Sequence, residues 1–95
     1  MTVVNDTLEK TLRVANRQGL HARVATMVVQ AMQKYECDVT VVKDGVEVDA
    51  RSVLGLLLLA ATPGSEILVK ALGPDSREAL EELTRLLEDE DAKPR

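Results

Sequence analysis

Asn16-Arg17-Gln18-Gly19-Leu20-His21-Ala22-Arg23 stands between two different periodicities. Before it, Leu8, Leu12 and Val14 share one parity, with Lys10 interrupting, while Glu9, Thr11 and Arg13 take the other. That alternation predicts a half-buried strand. After it, Ala25, Val28, Val29 and Met32 recur at three- and four-residue steps, so they form one stripe of a helix running from about Ala22 to Tyr35. Val24, Val28 and Val29 are β-branched and weaken the intrinsic helix preference, so packing must hold this helix. Asn16 to Gly19 is the loop between the two elements, and Gly19 is free to take backbone angles closed to other residues. The junction contains the only histidine, His21, with Arg23 two residues on. A histidine at a helix start can act as a nucleophile, and its product anion would lie beside backbone N–H groups. The same residue can also serve simply as a helix cap or a packing group, and this local spacing does not choose between the two.

Downstream, Cys37 to Val42 alternates, with Cys37, Val39 and Val41 on one face. Asp44-Gly45 signals a hairpin, and Val46 to Asp49 supplies its return strand. Ser52 precedes a compact apolar run, Val53 to Ala61, closed by a Pro63-Gly64 turn. That run is apolar around nearly the whole circumference of a helix. A short surface helix buries one side only, so Val53, Leu56 and Leu59 or Ala60 are assigned to the core and some leucines should stay exposed. Glu66 to Leu72 reads as a strand with Ile67, Val69 and Ala71 on one side. In the last helix Asp75 and Glu78 form a capping-box pattern, followed by a stripe of Ala79, Leu80, Leu83, Leu86 and Leu87. The acids Glu88 to Asp91 oppose the helix macrodipole, so the helix should fray there.

The order of elements is β-α-β-β-α-β-α. Four strands and helices that each bury one stripe predict an α+β fold, a two-layer open-faced sandwich. It would hold a four-stranded antiparallel sheet with three helices on one face. We expect one domain over residues 1–95, with a core from about 8 to 87 and an acidic, frayed tail at 88–95. Met1 to Thr7 reads as a short leader or an edge.

Composition narrows the function. The chain has 95 residues, 45% of them apolar, which suffices for a packed interior. Tyr35 is the only aromatic residue and the formal charge is −4. Both features disfavour nucleic-acid binding, and the charge disfavours anionic membranes. Cys37 has no partner for an internal disulfide and reads as a small buried apolar residue, which fits a reducing cytoplasm. His21 and Cys37 are the only imidazole and thiol, so a metal site is not expected. The N-terminus does not have the form of a secretion signal, and 53–61 falls short of the roughly 20 residues that span a bilayer. These features predict a soluble cytoplasmic protein.

Two segments carry a resemblance. Gly19-Leu20-His21-Ala22-Arg23 resembles the active-site motif of HPr, the histidine-containing phosphocarrier family of the bacterial phosphoenolpyruvate-dependent phosphotransferase system. Val48-Asp49-Ala50-Arg51-Ser52-Val53-Leu54-Gly55 resembles that family's second signature, around its regulatory serine. The similarity runs from about Leu8 to Leu87, with matching spacing, element order and length. It implies a phosphocarrier, not a turnover enzyme, that needs no cofactor or metal. His21 would accept a phosphoryl group on Nδ1 from phospho-enzyme I and pass it to IIA-type acceptors, for sugar uptake or its regulation. Arg23 would stabilise the phosphate, and the backbone N–H groups of Ala22 and Arg23 would bind it. Ser52 would be phosphorylated by an HPr serine kinase/phosphatase, besides capping a helix. Leu20, Leu54 and Leu57 would dock partners, and the protein would be a monomer. One residue departs from the pattern: Val24 stands where the family usually has proline, and valine supplies an extra N–H and a looser helix start. Alternatives within the fold are a regulatory module acting through docking and Ser52 phosphorylation, or a nitrogen-branch phosphorelay. An RNA-binding or small-ligand domain is disfavoured by the charge and the lack of aromatics.

Overall fold

The computed structural model describes residues 1–89. In chain order it contains β1 (Thr2–Val4), β2 (Thr7–Arg13), α1 (Ala22–Met32), β3 (Asp38–Lys43) and β4 (Val46–Asp49). These are followed by α2 (Val53–Leu58), β5 (Glu66–Leu72) and α3 (Ser76–Glu88). The strands form one antiparallel sheet in the order β1-β2-β5-β3-β4. Register sets Leu12 opposite Ile67 and Val69 opposite Val41, and all four are buried. This inner face meets α1 and α3, whose buried stripes are Val24, Ala25, Val28 and Met32 on the first and Leu80, Leu83, Leu86 and Leu87 on the second. Aliphatic side chains therefore make the core, as the composition requires.

The sheet has five strands, not the four expected. Thr2–Val4 turns back on β2 through Asn5 and Asp6, at φ 50° and 67°. Two consecutive left-handed residues match the twist of a two-residue hairpin. A three-residue strand is too short to show alternation, so only the edge was legible. The second hairpin follows its sequence signal, with Asp44 at φ 51° and Gly45 at φ 80° joining β3 to β4.

Two helix ends differ from expectation. α1 stops at Met32, short of Tyr35, as Lys34 N–H and Tyr35 N–H bond to Ala31 and Met32 carbonyls in a tighter turn. The Arg51 guanidinium donates to the carbonyls of Met32 (2.9 Å) and Tyr35 (2.8 Å), closing that end from outside the helix. At α3 the capping box does not form: the Asp75 side chain makes no cap bond. Its Oδ2 instead accepts from Glu36 N–H at 2.8 Å, fixing the α1–β3 loop, while Ser76 Oγ donates to Gly73 O. Glu88 closes α3 and Asp89 follows it; the rest of the expected acidic tail, 90–95, lies outside the described residues.

Candidate functional site

The loop before α1 is held from both sides. Asn16, 2% exposed, turns the chain: its Oδ1 accepts from Gln18 N–H and its carbonyl from Gly19 N–H. Gly19 sits at φ 66°, and a Cβ there would fall 2.3 Å from the Ala61 carbonyl oxygen. Glycine is thus required both for its backbone angle and for the close approach. Leu20 N–H donates to that same carbonyl at 2.9 Å. Further along, Val14 N–H bonds Ser65 O and Gly64 N–H bonds Val14 O. The stretch after α2 therefore clamps the loop that delivers His21.

His21 is the N-cap of α1, extended at φ −89° and ψ 179°, and its carbonyl accepts from Ala25 N–H at 2.9 Å. Its Nδ1 accepts from Arg23 N–H at 3.2 Å. An imidazole therefore does the work usually given to a Ser, Asp or Asn oxygen. An accepting Nδ1 carries the lone pair, which places the ring proton on Nε2. Nε2 is buried and has no partner among the described residues. The ring as a whole is half-buried, so the nitrogen left at the helix mouth is Nδ1. No acidic residue occupies the first turn of α1, so nothing there neutralises the positive end of the helix. Arg23 is exposed, and among the described residues no bond ties its guanidinium down.

α2 connects this site to a second one. It starts beside Arg51, which grips the C-terminal end of α1, and ends near Ala61, which holds Leu20 at the N-terminal end. The short helix thus runs back along α1. Ser52 caps it, its Oγ accepting from Gly55 N–H at 3.0 Å, at the end away from His21. Leu54 is 75% exposed and Leu58 78% exposed, whereas Leu56 and Leu59 are buried. Val53 and Leu57 are half-buried against the core, and Ala60 is exposed.

The exposures of the three leucines expected to dock partners differ. Leu54 is outward as expected and Leu57 only partly so. Leu20, 4% exposed, belongs to the core and offers no docking contact, because its backbone is bonded to Ala61 and its side chain turns inward. Leu58, at i+4 from Leu54, lies on the same exposed helix face. Cys37 is half-buried, not buried. Burial and the charges of Asp75 and Asp38 push its thiol up against the opposing pull of Arg51, which leaves it a protonated, weakly reactive group.

The fold and site together define a class: an open-faced α+β sandwich with one imidazole nitrogen at a helix N-terminus. Residues 8–89 match the family model described as the PTS HPr component phosphorylation site. The chain is 40% identical over 79 residues to the phosphocarrier protein HPr of Treponema pallidum, covering 83% of this chain and 90% of that protein. It is 37% identical over 83 residues to the HPr-like protein Crh of Bacillus subtilis, covering 87% and 98%. The crystal structure of the HPr of Bacillus anthracis superposes with a TM-score of 0.84 at 36% identity, covering 87% of this chain and 99% of that one. The chain belongs to the HPr family of phosphotransferase-system phosphocarriers, proteins that carry a phosphoryl group and are not turnover enzymes.

Proposed function

We propose that His21 accepts a phosphoryl group on Nδ1 from phospho-enzyme I and passes it to a IIA-type acceptor. The observation that carries this reading is the ring's orientation: Nδ1 faces the Arg23 amide at the mouth of α1, and Nε2 is enclosed. In the transfer the Nδ1 lone pair forms the N–P bond. The bond from phosphorus to the donor breaks, and its electron pair leaves with the donor. The ring proton stays on Nε2, so the ring's positive charge offsets the phosphoryl oxygens and keeps the group easy to hand on. Phosphoryl transfer asks the protein for position and charge stabilisation. The Ala22 and Arg23 amides and the Arg23 guanidinium fit that requirement.

Partners would dock across the exposed Leu54 and Leu58, with Leu57 at their margin, in the cytoplasm and with this chain as a monomer. No helix among the described residues is long and apolar enough to cross a membrane. Incubation with enzyme I and phosphoenolpyruvate, followed by intact mass before and after acid, tests the reading. We expect one acid-labile phosphoryl adduct, absent in His21→Ala. No adduct on the parent chain would refute it.

A second reading adds regulation at Ser52 by an HPr serine kinase/phosphatase. The resemblance of Val48 to Gly55 to the family's second signature and the half-buried Ser52 hydroxyl at the head of the leucine face support it. A phosphate there would set about two negative charges beside the docking surface. Ser52→Asp should weaken enzyme I binding; unchanged binding would remove this reading and leave the first intact.

A further inference from the structure

We infer that the backbone N–H of Val24 is a donor to the phosphoryl group on His21, gained only when the group is present. The inference rests on the proposed phosphorylation of His21 and adds a positioning group to it.

The first amides of a helix have no carbonyl to bond within the helix. In α1 these belong to Ala22, Arg23 and Val24; the next, Ala25 N–H, already donates to the His21 carbonyl. An N-cap side chain reaches the second or third of these amides. Here the imidazole reaches the second, Arg23, and among the described residues the third, Val24, has no acceptor. A ring nitrogen has one lone pair and bonds one amide. A phosphoryl group on that nitrogen presents three oxygens from the same position, enough for both amides.

The two amides then play different parts. Arg23 N–H bonds the bare nitrogen as well as the phosphoryl group, and its bond to Nδ1 must open before Nδ1 can attack. It stabilises both states, so its effect on the balance between them is reduced. Val24 N–H gives up no protein acceptor on phosphorylation. Only an interaction stronger in one state shifts the equilibrium between the two. The donor is also fixed in place: Val24 as a whole, backbone included, is 0% exposed, so little ordering cost attends the new bond. The acceptor is charged, which makes the bond one of the stronger kind.

Proline at position 24 tests this, since it removes the N–H, and a first helical turn tolerates it. Val24→Ile keeps both the N–H and a buried side chain. With enzyme I and phosphoenolpyruvate supplying the group, the equilibrium constant for phosphoryl transfer from enzyme I should fall about tenfold in Val24→Pro and stay within about twofold of the parent in Val24→Ile. In the parent chain the Val24 amide proton should move downfield on phosphorylation by an amount comparable to Arg23. An unmoved Val24 amide overturns the inference, and this readout stands even if the proline variant does not fold. Equal constants for parent and proline variant overturn it, as does an equal loss in the isoleucine variant, which would assign the effect to packing. A parent chain that accepts no phosphoryl group at all refutes the underlying proposal instead.

Discussion

His21 does two jobs with one atom. Nδ1 caps α1 through Arg23 N–H, and the same lone pair is the proposed nucleophile. The cap is a neutral hydrogen bond of modest strength, so it orients the ring without locking it. Arg23 contributes in two ways, an amide that holds the ring and a guanidinium open to solvent. Arg23→Ala retains the amide and deletes the guanidinium. It should slow phosphoryl transfer from enzyme I roughly ten- to a hundredfold, while stability changes by no more than about 0.5 kcal/mol. Rapid-quench transfer kinetics and thermal unfolding check the pair of outcomes; parent-like transfer would remove the guanidinium from the mechanism. At this scale the placing of His21, Ala22 and Arg23 at the start of α1 was legible, because the change of periodicity falls there. Leu20 was not, because adjacency to a site says nothing about where a side chain points. Its direction follows from a bond to Ala61, forty-one residues away.

Among the elements, α2 shows how far periodicity reaches. Six residues make fewer than two turns, so an all-apolar run gives no face by itself. The face is set by what lies beneath: Leu56 and Leu59 fill the core, and Leu54 and Leu58 are left outside. Leu54→Asp and Leu58→Asp should each weaken enzyme I binding by about tenfold or more, with stability within about 0.5 kcal/mol of the parent. Titration calorimetry and thermal melts separate these effects. A large stability loss would place the residue in the core, and unchanged binding would move the docking surface elsewhere. The cap of α3 failed for a related reason. The local pattern Asp75 to Glu78 is correct for a capping box, but the Asp75 carboxylate is taken by Glu36 N–H, a partner that only tertiary structure brings near.

For the whole molecule, the main strands and helices were readable because a sheet covered on one face writes alternation into its strands and stripes into its helices. The β1 hairpin was not, since Val3 and Val4, on opposite faces of the strand, are both exposed, at 64% and 43%, and no buried face marks them. Nor was the tie between the turn after α1 and α3. Glu82, 7% exposed on the otherwise apolar stripe of α3, takes both carboxylate bonds of Lys34 Nζ, at 2.8 and 2.9 Å, and the Tyr35 hydroxyl. Burial pushes its carboxyl up, but these hydrogen bonds and the charges of Lys34 and Arg85 outweigh it and hold it below the ordinary value. A depressed carboxyl contributes stability that is present above its unfolded pKa, about 4.5, and is lost as pH falls through the lower folded value. Glu82→Gln should therefore cost about 1–2 kcal/mol near pH 7. The gap from the parent should close as pH drops from 5 towards 3. Denaturant melts across that range check it; a gap independent of pH would mean that shape, not charge, joins the helices.

In the proposed transfer, one particular nitrogen of one ring takes the phosphoryl group. This is tested most directly by ¹⁵N NMR of the His21 imidazole in the chain phosphorylated by enzyme I. The phosphorus should be bonded to Nδ1, with Nε2 still carrying its proton. Phosphorus on Nε2, or an unmodified ring beside a phosphorylated Ser52, would contradict it.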